Sequence, residues 1–223
     1  MISRTTISRS LLLILLLCVC GSTFAHTINY ALDKAPTHQV VGYYLQLGYR
    51  HIIPEGFDHI LFVAGLCLIS KNYKSILWQA TAFTIAHSIT LALSMKNIIV
   101  APPAIVEPII ALSILFVAVE NILLGQVRAW RIALVFLFGL IHGMGFASSL
   151  NEIGLPPNQF LTSILSFNGG VELGQVTIIA LMYFLLILPM RNRSWYRSRV
   201  VVPLSLLIGL TALYWTVERV WMM

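Results

Sequence analysis

From Gly56 to Val220 the chain is a succession of six apolar stretches, approximately Gly56–Ser70, Ser75–Met95, Ala104–Leu124, Ile132–Leu150, Leu161–Met190 and Val200–Val220. No other feature narrows the fold as much. Inside lipid, every backbone N–H and C=O must find its partner within the protein, and about 20 residues of helix cross the hydrocarbon. Repeated apolar runs of this length therefore specify a bundle of membrane helices. Composition agrees: 58% of residues are hydrophobic, 10% are charged and the mean hydropathy is +0.87, whereas soluble domains carry roughly 25% charged residues. The fold class expected is all-α, a polytopic membrane helical bundle of six transmembrane helices. The first stretch is short unless it continues upstream through Tyr49–Pro54, which leaves either a tilt or a half-embedded turn.

The N-terminus reads differently. Arg4 and Arg9 precede a run of only ten apolar residues, Leu11–Cys20, followed by Gly21-Ser22-Thr23-Phe24-Ala25. A basic start, a short apolar core and small residues near a cleavage point describe a secretory signal peptide. Cleavage after Ala25 leaves His26 first; the alternative is an uncleaved signal anchor. Val19 stands before Cys20 where a lipoprotein signal needs a small residue. The expected layout is a signal peptide over 1–25, a periplasmic segment over 26–48 and a six-helix transmembrane domain over 49–223.

Net charge is +6, but the basic residues cluster between apolar stretches: Lys71 and Lys74, Arg128 and Arg131, then Arg191, Arg193, Arg197 and Arg199. The intervening connections carry only Lys96 or no basic residue. This distribution excludes nucleic acid and sets topology, with the three basic connections on the cytoplasmic side of a bacterial inner membrane and the mature N-terminus periplasmic. Cys18 and Cys20 fall in the leader and only Cys67 beyond it, so the mature chain has no disulfide framework. No GxxxxGK[ST] loop is present, so any transport draws on a gradient or a partner.

Ionisable residues within a membrane span are costly and are functional candidates by default. Asp58, Glu107, Glu120, Glu172 and Glu218 lie in or beside the stretches, as do His59, His87 and His142. At 1.5 Å of rise per residue, His87, His142 and Glu172 lie about 13, 12 and 16 Å below the outer end of their spans, and Glu120 some 24 Å down. The expected metal ligands are His59, His87, His142 and Glu172, with Asp58 as a further ligand or the orienter of an imidazole. His51, Glu107, Glu120 and Asn121 are pathway candidates, and Glu218 is expected to pair with Arg219. Imidazole plus carboxylate without thiolate suits Ni²⁺, Zn²⁺ or Fe²⁺. Gly139 and Gly143 flank His142 as a close-packing pair. Gly169, Gly170 and Gly174 around Glu172 suggest a kinked or discontinuous span, and Thr84, Ser88 and Asn121 are candidate supports for the ligands.

Several ordered motifs carry a resemblance. They are His51-Ile-Ile-Pro-Glu-Gly-Phe-Asp58-His59, Phe83-Thr-Ile-Ala-His87-Ser, Val106-Glu107 through Glu120-Asn121, Phe138-Gly-Leu-Ile-His142-Gly and Phe167-Asn-Gly-Gly-Val-Glu172-Leu-Gly-Gln175. Together they resemble the HupE/UreJ family of hydrogenase and urease accessory membrane proteins. The resemblance implies a multi-pass bacterial inner-membrane protein that handles divalent metal, nickel in particular, as a permease. It also implies a metalloenzyme-maturation partner or a homo-oligomer. The Asp58-His59 pair is similar to the histidine-aspartate signature of nickel/cobalt permeases, but six residues separate His51 from Asp58, more than in the closer HxxxxDH spacing.

The expected function is a divalent-metal permease, with nickel or zinc captured by His51 and by His26 and His38, dehydrated onto the buried ligands and released past Glu120. Protons compete for imidazole below about pH 6.5 and weaken binding. No catalytic residue is assigned on that reading. The alternative is an intramembrane hydrolase with a zinc-activated water and Asp58 or Glu172 as general base; a metal-sensing or scaffold subunit is the third.

Overall fold

The computed structural model describes residues 30–221. The expected signal peptide and His26 lie outside the described residues. Among the described residues the regular structure is helical throughout, in accord with the fold class expected from the apolar runs. A one-turn helix α1 (Tyr30–Asp33) leads into α2 (Thr37–Ile52) and α3 (Phe57–Ile69). The long helices follow: α4 (Tyr73–Met95), α5 (Pro103–Leu123), α6 (Arg131–Ile153) and α7 (Phe160–Met182). A π-helical turn, Tyr183–Ile187, extends α7 into α8 (Leu188–Met190), and a second one, Arg197–Val201, opens α9 (Val202–Trp221).

Five of these helical stretches are long and apolar enough to cross a membrane, and α2 with α3 makes a sixth if the bent pair counts as one span. Alone, the 13 residues of α3 rise about 20 Å, short of the roughly 30 Å hydrocarbon core. The remaining length comes from α2, which meets α3 at a 69° bend. The break at Ile53–Gly56 follows from its residues. Pro54 brings no N–H to continue the helix, and Gly56 lies so close to the His51 carbonyl that no side chain fits there. Backbone bonds from Glu55 to Arg50 and from Gly56 to Ile52 close the corner.

The kink expected near Asn168–Gly170 is absent: α7 is continuous from Phe160 to Met182. Its glycines serve contact instead. A Cβ on Gly170 would strike the Leu45 carbonyl and Tyr49 N–H, one on Gly174 would strike Ile52, and one on Gly48 would strike the Phe167 carbonyl. At Gly48 and Gly170 backbone meets backbone across the α2–α7 seam. The α4–α6 seam is made the same way, Gly139 against Phe83 and Ala86 and Gly143 against His87 and Thr90. Helix α9 packs along α5, where Gly209 meets Ala118. Among these pairs lies α3, buried from Phe62 onward except at Ala64.

The three basic connections meet at one end of the bundle. Arg191 donates to the Lys71 carbonyl, Tyr196 to the Leu68 carbonyl, and Arg197 to the Ile122 and Leu124 carbonyls at the end of α5. Arg131 departs from its expected place in an exposed connection. It is fully buried at the start of α6, with Nε 3.3 Å from Glu120 and Nη2 3.3 Å from Asn121 Oδ1. A guanidinium there compensates a carboxylate that the span would otherwise leave unpaired.

Candidate metal centre

The break between α2 and α3 carries the centre. His51 is the penultimate residue of α2 and His59 stands in the first turn of α3, so the corner folds two residues eight apart in sequence onto each other. Their ring centroids are 4.7 Å apart. His87, midway along α4, completes a triad in which one nitrogen of each ring lies within 4.8 Å of the others. His142 on α6 stands beside that set, its ring 5.2 Å from His59. The four imidazoles thus come from four helices.

Hydrogen bonding orients the rings. His87 Nδ1 lies 3.1 Å from Asn168 Oδ1. The Asn168 amide group donates to the Ile164 carbonyl at 2.8 Å, which fixes its oxygen toward the histidine. An amide oxygen only accepts, so Nδ1 of His87 carries the proton and Nε2 keeps its lone pair. His142 repeats the arrangement with Nδ1 2.9 Å from the Phe138 carbonyl. Such anchoring of the far ring nitrogen is the usual support of a metal-binding imidazole.

Nε2 of His51, His59, His87 and His142 is in each case buried without a hydrogen-bond partner. Leaving one buried polar atom unpaired costs about 1–3 kcal/mol, and four in one locality need a common explanation. A divalent cation held among them would supply it. Three or four neutral imidazoles suit a borderline ion such as nickel or zinc, and Cys67, about 12 Å further along α3 by helical rise, adds no thiolate to the set. Aromatic rings wall the group: Phe146 lies 3.9 Å from His51 between centroids, Phe83 4.9 Å and Phe62 5.5 Å from His142.

The candidate carboxylates lie elsewhere. Glu172 on α7 accepts from the Thr81 hydroxyl at 2.7 Å and from that of Thr84. Asp58 accepts from Arg219 Nη2 at 2.9 and 3.2 Å. Arg219 also donates to the backbone carbonyl of Glu107, whose side chain is exposed. The expected Glu218–Arg219 pair is therefore replaced: Arg219 turns to Asp58, and Glu218 accepts from Tyr214 instead. Glu120 faces Arg131, and Asn121 donates to the Gly65 carbonyl at 2.7 Å, tying α5 to α3. His38 is exposed near the start of α2.

The expected supports also change partners. Thr84 serves Glu172, and Ser88 caps the Thr84 carbonyl. The residue that holds His87 is Asn168, read in the sequence only as part of a glycine-rich kink. Its helical spacing of four from Glu172 was the available signal, since it places the two on one face of α7.

A family model described as HupE / UreJ protein matches residues 26–219. No curated protein and no solved structure matches the chain. The match spans all four histidine-bearing helices and the corner that joins two of them, and on that basis the chain belongs to the HupE / UreJ family.

Proposed function

We propose that this protein is an inner-membrane permease for a divalent metal ion, nickel being the ion that the family association favours, with His51, His59, His87 and His142 as its intramembrane binding station. The observation that carries the reading is the set of four buried, unpartnered Nε2 atoms, two of them oriented by a bond to the opposite ring nitrogen. Neutral imidazoles replace part of the hydration shell of the ion without adding fixed charge, and so hold it reversibly. The end bearing Lys71, Arg128 and Arg193 faces the cytoplasm in this reading, with the start of α2 toward the periplasm. Release past Glu120 requires that its carboxylate separate from Arg131, which makes that pair the inner barrier.

The hydrolase alternative loses support from the same geometry. Its two candidate general bases are engaged elsewhere, Asp58 by Arg219 and Glu172 by Thr81 and Thr84.

Elemental analysis of the detergent-purified full chain, followed by Ni²⁺ uptake into liposomes, tests the proposal. Near-stoichiometric metal, lost in H51A, H59A and H87A, together with uptake that those variants lack, is the expected result. A wild-type protein that takes up no added Ni²⁺ or Zn²⁺ at neutral pH overturns it.

A further inference from the structure

Glu172 on α7 is buttressed only by neutral groups. None of the three ion pairs among the described residues includes it. Its two oxygens instead take the hydroxyls of Thr81 and Thr84, one from each. No charged group on the helices packed against α7 pairs with Glu172. Arg50 of α2 pairs with Glu55, Asp58 of α3 with Arg219, and Lys74 sits exposed at the start of α4. His51, His59 and His87 belong to the metal station.

Position on the helices adds a second argument. Glu172 shares a face of α7 with Leu165 and Val176, and Thr81 shares one of α4 with Ile85, by spacings of seven and four. Leu165, Val176 and Ile85 are exposed on apolar spans. Glu172 also shares a face with the buried Asn168 and Gln175, so the half-buried carboxylate lies at the rim of the α4–α7 seam, between the interior and the exposed face. A bare carboxylate in that setting costs several kcal/mol, and hydroxyl donors lower the cost without removing the charge.

Resting on the permease reading, we infer that Glu172, Thr81 and Thr84 form the site of the coupling cation, a proton or a sodium ion, that drives metal movement. The oxygen-only donor set suits a hard monocation and is unlike the nitrogen set of the metal station. The cation site lies one helical turn from the His87–Asn168 contact that supports the metal station, on the same two helices, α4 and α7. Occupancy of one therefore bears on the packing that orients the other. Coupling of this kind is reciprocal, so the monocation and the divalent ion alter each other's affinity by one factor.

Wild type, E172Q and T81V/T84V are reconstituted in liposomes, and Ni²⁺ uptake is followed with a proton gradient alone, a sodium gradient alone, or neither, choline replacing sodium. In wild type one gradient raises uptake by tenfold or more, and which gradient does so names the ion. In E172Q uptake becomes independent of both within twofold, and T81V/T84V is intermediate, while nickel retained at equilibrium stays stoichiometric in each. Stimulation of E172Q equal to that of wild type overturns the inference and leaves the permease reading standing. Loss of retained nickel in E172Q also overturns it, because Glu172 would then belong to the metal station. Absence of wild-type uptake under all gradients overturns the permease reading instead. The cation site is then decided in detergent. A protonated-carboxyl infrared band, or stoichiometric ²²Na⁺ binding, that is present in wild type and absent in E172Q supports it. Neither signal in wild type overturns it.

Discussion

Asn168 shows how much of the centre depends on residues that bind no ion. Its amide is fixed by the Ile164 carbonyl and in turn fixes His87. Replacing Asn168 with Leu keeps the volume but frees the ring, and metal affinity is expected to fall about 10–100-fold, as read by competition against a chromophoric chelator. Asn168→Asp keeps an acceptor at the same place and is expected to retain most of the affinity. Acidification acts on the ligands themselves. Only neutral imidazole offers a lone pair, so retained metal is expected to fall as the pH is lowered; dialysis through an acid series followed by elemental analysis checks it. His59, His87 and His142 stand out in the sequence because a buried imidazole in an apolar run is conspicuous, whereas His51, outside the apolar stretches, reads only as a pathway residue. Asn168 does not stand out, because its partner lies 81 residues away and only packing of α4 on α7 brings them together.

At the scale of elements, close helix approach is what places the ligands. Gly170→Val and Gly143→Val introduce side chains where a neighbouring backbone or Thr90 already stands. Each is expected to destabilise the protein by about 1–3 kcal/mol, seen as a lower Tm in detergent. Gly42→Ala meets nothing within 4 Å and serves as the neutral control. The spans after the first were readable to within about four residues, since length and apolarity fix a membrane helix and little else competes. The glycine-rich stretch of α7 misled because glycine marks both a flexible backbone and a close neighbour, and sequence does not separate the two. The break came instead at Ile53–Gly56, where Pro54 and Gly56 sit together.

Across the whole molecule, the three basic connections gather at one end and the buried Glu120–Arg131 pair lies just inside it. Removing one partner as Arg131→Met leaves a buried carboxylate uncompensated and is expected to cost about 3–5 kcal/mol, whereas the double replacement E120L/R131M is expected to be close to neutral. Chemical denaturation of the three proteins in mixed micelles compares them. Orientation is checked by single cysteines in a Cys67→Ala background. A cysteine at Ser194 is expected to react with an impermeant reagent only in inside-out vesicles, and one at Asn158 only in right-side-out cells. Sequence alone put Arg131 in a solvent connection because charge near a span end ordinarily marks topology; burial beside Glu120 is a long-range outcome that no local pattern announces.

His51 and His59 flank the corner between α2 and α3, so an ion held by both is a staple across a hinge. Loading would stiffen the Ile53–Gly56 segment, slowing amide hydrogen exchange there, and any flexing that widens the angle between the two half-helices would pull the ligands apart. Affinity and bend angle thus become one variable, and a lever on α2 far from the bound ion would be enough to make the protein let go.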